Sequence, residues 1–209
     1  MGVILNGVLG GFSGKVGPVV GGKWKDIDYM RAYVVPANPN TSGQQAVRAK
    51  FSQLVSYARS ILSQILQPYW DPFLSNMSGF NSWISQNYEN ADADGIIDDT
   101  AIMALGTLTP TPLLTATYDT ADGDIVITWS PVPIGNQAVT DYAVPIAYDT
   151  DGNQLTVGSA YPLRSATTAN MTIDSGLTAT EVIVFVFFFQ GTGAEMIVSD
   201  SVSKVCAAA

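Results

Sequence analysis

The chain has 209 residues, of which 47% are hydrophobic and only 13% charged, about half the charged fraction of an average soluble protein. It has no histidine and a single cysteine, Cys206, which excludes disulfide frameworks, Cys/His zinc sites and Ser-His or Cys-His catalysis within one chain. The net charge of -9 is split: residues 1–66 carry +5 and residues 67–209 carry -14, a polarity that fits different surroundings for the two parts or head-to-tail contact between copies. Nucleic acid is not expected as a partner, because the basic residues are sparse and form no evident stripe. A surface this poor in charge fits a protein packed among neighbours.

Residues 7–25, "GVLGGFSGKVGPVVGGKWK", raise the first functional question. A phosphate-binding loop would need glycine at Leu9 and a hydroxyl at Val16, with a helix following. Instead the run continues into Pro18, so no nucleotide site is expected. "YMRAYVVPANPN" (29–40) is β-prone and then broken by two prolines, and residues 1–40 read as an extended anchoring arm or a short hairpin. Glycine lets backbone approach backbone, so "VGPVVGG" could add a strand to a neighbour's sheet. Trp24, Tyr29 and Val34 are the candidate buried anchors of such a contact, and Lys15 and Arg31 its candidate polar contacts. The N-terminus lacks the positive segment and continuous apolar run of a secretory signal.

Thr41 and Gln44 form a capping-box pattern. Apolar residues from Val47 to Ile65 then recur at spacings of three and four, predicting a helix over 41–66 that stops before Pro68. Arg48, Lys50 and Arg59 lie on its polar face, read as solvated. A second helical stretch is expected between Pro72 and Ala91, making a helical hairpin and connector over 41–108. "NADADGIIDD" (90–99) places Asn90, Asp92 and Asp94 at alternate positions with Asp98 beyond, a weak calcium pattern whose twelfth position is Ala101 and not glutamate. A polar connector is the preferred reading, and no metal or cofactor is expected.

From Leu113 the pattern changes to seven short β-runs with turn signals between them, the rhythm of an immunoglobulin-like sandwich over 109–209. The fold class expected is therefore α+β. "VIVFVFFF" (182–189) is the longest apolar run and far too short to span a bilayer as a helix. Trp129 in "IVITWSPVP" and the closing "SDSVSKV" resemble a fibronectin type III domain. No pair of acids is set apart for hydrolysis, and the chain is not expected to be an enzyme.

Gly14-Lys15-Val16-Gly17, Val19-Val20-Gly21, Trp24-Lys25, Tyr29 with Arg31, Pro39-Asn40-Thr41, Gln45 and Arg48-Ala49-Lys50-Phe51 together resemble the N-terminal signature of a family of uncharacterised proteins of about 200 residues in Bacteroidetes bacteria and their phages. The resemblance continues through Phe80-Asn81 and "DGDIVITWS" to "SDSVSK". That family has no established activity and no agreed functional residues, so it carries no site over. It implies a non-enzymatic virion component, capsid- or tail-associated, with other virion proteins and copies of itself as partners. The alternative is a cell-surface or carbohydrate-binding adhesion module whose sandwich loops meet a host-surface glycan, with Tyr161 the one loop aromatic to offer.

Overall fold

Two-residue turns fold the glycine-rich opening run into a small antiparallel sheet. The computed structural model describes residues 3–4, 11–119, 122–173 and 181–207, and the chain divides into two compact units, Met1–Thr41 and Ser42–Ala209. In the first unit β1 (Val3–Ile4), β2 (Phe12–Val16), β3 (Val19–Trp24) and β4 (Ile27–Ala32) lie side by side in chain order. Gly17, at φ 60°, and Pro18 form the turn between β2 and β3. Lys25 and Asp26, at φ 45° and 66°, form the turn between β3 and β4. Left-handed turn residues match the right-handed twist of the strands they join, which is why such short loops close hairpins. Residues 7–10 of the opening run lie outside the described residues.

The second unit begins with α1 (Ser42–Ser60). The helical path does not end before Pro68: a π-helical turn over Leu62–Leu66 leads into the short α2 (Gln67–Tyr69). Leu66 N-H donates to Ile61 O at 3.2 Å, an i to i+5 bond. The wider turn admits the Pro68 ring, and it turns Ile61, Ile65 and Leu66 together into the core, each at 0% exposure. The second helix, expected from Pro72, starts only with α3 (Gly79–Asn87). Asp71–Phe73 form a 3-10 turn, and the Ser78 hydroxyl caps α3 by accepting from Asn81 N-H at 3.4 Å. A capping serine satisfies a helix N-H that no carbonyl reaches, so the helix begins where the cap is. Phe73 and Met77 consequently lie outside it and are exposed.

The chain is α+β with antiparallel sheets. The seven β-runs read from the sequence correspond to eight strands among the described residues. β5 (Leu113–Tyr118), β6 (Asp124–Trp129) and β9 (Thr168–Thr172) form one sheet in the order β5-β6-β9. β7 (Tyr142–Asp149), β8 (Gln154–Val157), β10 (Glu181–Gln190), β11 (Ile197–Val198) and β12 (Val202–Ala207) form the other, in which β10 pairs with β7 on one side and with β11 and β12 on the other. The last run, "EMIVSDSVSKV", divides because its register against β10 shifts by one residue between Val198 and Val202. Ser199 fills the irregularity, its hydroxyl accepting from Phe188 N-H at 2.9 Å.

β10 explains why "VIVFVFFF" does not alternate with polar residues: both of its faces are covered. Val182, Val184, Val186 and Phe188 enter a core with Ile125, Ile127, Trp129 and Met171 of the three-stranded sheet. Ile183, Phe185 and Phe187 enter a second core with Leu54, Ile61, Ile65 and Trp83 of the helical segment. β7 divides in the same way, Ala143 and Ala147 towards the sheet and Val144, Ile146 and Tyr148 towards the helices. Residues 42–108 therefore belong to one compact unit with the strands, packed on its central sheet, where the sequence set the segment 41–108 apart from them. A sheet covered on both faces reads as a continuous apolar run.

Candidate functional site

Antiparallel register and the two-residue period of a strand decide which side chains of the N-terminal sheet share a face. Lys15 faces Val20, Val20 faces Arg31, Gly22 faces Tyr29 and Trp24 faces Ile27. Lys15, Trp24, Ile27, Tyr29 and Arg31 therefore project from one face of β2, β3 and β4. Of the five interface candidates, the structure brings four onto this face. Val34 lies beyond the end of β4 and is 71% exposed.

The face is open. Trp24 is 64% exposed, Ile27 63% and Tyr29 45%, and Lys23, Trp24, Ile27 and Tyr29 line a shallow hollow. Tyr29 lies across Gly22, where an added Cβ would come within 2.8 Å of the phenolic oxygen. Glycine is what allows the ring to lie flat over its cross-strand neighbour. Lys15 Nζ stands 3.6 Å from the centroid of the Tyr33 ring, a cation-π contact inside the chain. Lys15 thus has an intramolecular partner that the sequence reading, which gave it a contact to a neighbour, did not find. Tyr33 and Ile27 are the members of the face that were missed. The two-residue period from Tyr29 reaches both, Ile27 within β4 and Tyr33 one residue past its end, where its N-H still donates to Pro18 O.

The weak calcium pattern serves the backbone. Asp92 Oδ1 accepts from Asp94 N-H and Ile96 N-H, at 2.9 and 2.8 Å. Asp98 Oδ1 accepts from Thr100 N-H at 2.8 Å, and Asn90 Nδ2 donates to Thr100 O at 3.3 Å. Asp and Asn side chains stabilise turns in this way. Among the described residues no group of three or more His, Cys, Asp or Glu side chains converges as a metal site would. Lys50, read as part of a solvated helix face, donates to Ala91 O at 2.8 Å and lies 4.5 Å from the Tyr88 ring centroid, tying the connector to α1. Tyr161 is half-buried and edge-on to Phe189.

The closing "SDS" motif holds a second connector. Ser201 Oγ accepts from Met103 N-H at 2.9 Å, Asp200 Oδ1 accepts from Gly106 N-H at 2.9 Å, and Ser199 holds Phe188. Three consecutive side chains each satisfy a different backbone donor, so the segment between helices and strands is fixed against β10 and β11.

The most polar buried arrangement lies at one end of the two sheets. Arg164 and Asp141 form an ion pair at 3.1 Å with both side chains at 0% exposure. Arg164 Nε also donates to Ala138 O, Nη1 donates to Thr111 Oγ1, and the guanidinium lies 4.0 Å from the Phe188 ring centroid. Burial lowers the Arg164 pKa from its ordinary value, opposed by the hydrogen bond and charge of Asp141. Trp129 Nε1 donates to Arg164 O at 2.9 Å. Each guanidinium nitrogen donates to an internal acceptor, while Asp141 Oδ1 is buried with no hydrogen-bond partner; with both charged side chains fully buried, the cluster positions loops and presents no charge to solvent.

The chain belongs to a family of unknown function, DUF6266, whose match covers residues 11–203. No curated protein matches it significantly. No helix among the described residues is long and apolar enough to cross a membrane.

Proposed function

We propose that this protein is a non-enzymatic structural component of a bacteriophage particle, capsid- or tail-associated, that docks to neighbouring proteins through its N-terminal sheet. The observation that carries the reading is the open face of that sheet, with Trp24, Ile27 and Tyr29 exposed beside Arg31. Aromatic residues and arginine are the types that dominate binding energy at interfaces. Full burial of a large apolar side chain contributes about 1.5 to 3 kcal/mol, so a partner covering this face gains several such terms. The phage setting rests on the resemblance of the N-terminal signature to proteins of Bacteroidetes and their phages.

The strands of the second unit present a fibronectin type III-like sandwich to the exterior of the particle. Supporting this is the strand order, β5-β6-β9 in one sheet and β8-β7-β10 followed by β11 and β12 in the other. The chain crosses between sheets as immunoglobulin-like sandwiches do. Trp129 packs edge-on to Phe188 across the shared core, 5.4 Å between centroids.

Mass spectrometry of purified particles should find the protein in many copies, and its absence would sink the reading. Removal of residues 1–39 should abolish incorporation while leaving the near-ultraviolet circular dichroism of residues 42–209 intact. Undiminished incorporation of the truncated chain would remove the docking role from the N-terminal sheet.

A further inference from the structure

The outer edge of β4 carries a backbone pattern that fits a second copy of itself. In the β3–β4 hairpin the two-residue turn makes Trp24 and Ile27 a hydrogen-bonded pair. Tyr33 N-H donates to Pro18 O at 2.7 Å, which continues the same phase at the far end of the strand. Ile27, Tyr29 and Arg31 therefore direct their backbone groups inward to β3. Asp28, Met30 and Ala32 direct their N-H and C=O groups away from it. Among the described residues no strand pairs with that edge. All six residues of β4 are exposed, none is proline and no bulge interrupts its pairing with β3; its charges, Asp28 and Arg31, are of opposite sign, so they do not bar addition of an antiparallel copy.

We propose that the protein forms a two-fold dimer in which β4 of one copy pairs antiparallel with β4 of the next, centred on Met30. A two-fold axis perpendicular to the sheet keeps each side chain on its own face. Residues of like parity must then oppose one another. Centring on Met30 uses every outward group: Met30 meets Met30 of the second copy, and Asp28 meets Ala32 in both directions. Each facing pair exchanges two bonds, about six in all. The same register puts Tyr29 directly opposite Arg31 of the second copy, twice by symmetry, on the face that carries Trp24. A guanidinium over a tyrosine ring is an attractive cross-strand pair, and no like charges are opposed. Centring on Tyr29 instead would use only Asp28 and Met30 of the outward groups. The product is a continuous sheet of two joined four-stranded halves whose aromatic faces lie on one side. The inference rests on the reading of the N-terminal sheet as a docking element and names its partner as a copy of this chain.

Light scattering on the full chain at about 100 μM should give the mass of a dimer; a monomer overturns the proposal. Met30→Pro removes an N-H that points away from β3, a substitution an edge strand accepts. It should yield a monomer with unchanged circular dichroism, whereas a persisting dimer refutes the β4 edge. Met30→Cys should give a disulfide-linked dimer on oxidation, because facing Cα atoms about 5.5 Å apart suit the bond. Val16→Cys, exposed on β2, should not, and equal cross-linking from both would overturn the register. Cys206 is buried and does not interfere. A monomeric chain found in particles would refute the dimer and leave the docking function standing. A dimer absent from particles would do the reverse.

Discussion

Arg164 is one of only two basic residues among the last 143 of the chain, and it is fully buried. Its guanidinium is held by Asp141, Thr111 and Ala138 O, so its desolvation is offset by charge and hydrogen bonding together. Arg164→Leu leaves the Asp141 carboxylate buried without its cation. It should cost about 3 to 5 kcal/mol in urea unfolding, and a loss below about 1 kcal/mol would mean that solvent reaches the pair. The sequence offered a faint signal here: an isolated arginine in a strongly acidic half has abundant partners and no evident surface role.

Cys206 and Tyr69 give the residue scale a pH dependence. Burial pushes the Cys206 thiol up from 9.0 to about 11, slightly opposed by Lys204. Burial and nearby Tyr161 push Tyr69 up from 10.0 to about 12. Burial, and then the hydrogen bond to Tyr57, raise Tyr148 as well. Each group is neutral when protonated, and the folded chain keeps its proton to higher pH than the unfolded chain does. Their contribution is therefore fully present below about pH 9 and is lost as pH rises through the folded values. Unfolding free energy should fall by on the order of 1 to 3 kcal/mol between pH 9 and 11, read from urea curves at successive pH. Flat stability over that interval would show the thiol to be solvated.

At the scale of the element, the β3–β4 turn is closed by two non-glycine residues in left-handed backbone, Lys25 and Asp26, with an exposed Lys23-Asp26 ion pair at 3.2 Å. Such a pair of residues holds the turn at a cost that Asn-Gly does not incur. The double variant Lys25→Asn, Asp26→Gly should stabilise the hairpin by about 1 kcal/mol and slow hydrogen exchange at β3 and β4 amides roughly fivefold. Unchanged exchange would mean that opening of the hairpin is not what limits it.

Pro145 shows how an element tolerates a residue its propensity forbids. It stands inside β7, yet its carbonyl accepts from Gly158 N-H at 2.9 Å, just past the end of β8. The N-H that proline lacks would have faced Gly158, so β8 stops pairing there and the longer pairing of β7 with β10 continues past it.

For the unit of residues 42–209, the double burial of β10 couples helices and sheets. Phe185 faces the helical core and Phe188 the core between sheets. Replacing either with alanine should cost about 3 to 5 kcal/mol and lower a single shared transition. On the unmodified chain, tryptophan fluorescence and far-ultraviolet circular dichroism should report the same melting temperature. Separated melts would show the helical segment to be an independent folding unit.

How much was legible follows from the range of the interactions involved. Composition alone ruled out histidine chemistry and disulfides within the chain, and local pattern gave the order of a glycine-rich segment, helices and short β-runs; the glycine-rich segment read as an extended arm or short hairpin, where the structure has a four-stranded sheet. The β-prone stretch around Tyr29 and the apolar run "VIVFVFFF" both correspond to strands, β4 and β10; a run with no polar alternation is what a strand covered on both faces requires. These are properties of neighbours in the chain, fixed by backbone sterics and side-chain period. What only the tertiary structure decided is which surfaces meet: that Ile183, Phe185 and Phe187 of β10 turn to the helices, and Val182, Val184, Val186 and Phe188 to the three-stranded sheet. It also decided that Lys15, Trp24, Tyr29 and Arg31 share one face, that Ser78 starts α3 late, and that Arg164 and Asp141, 23 positions apart, become a buried pair. Register and burial depend on contacts between residues distant in sequence, and no local propensity encodes them.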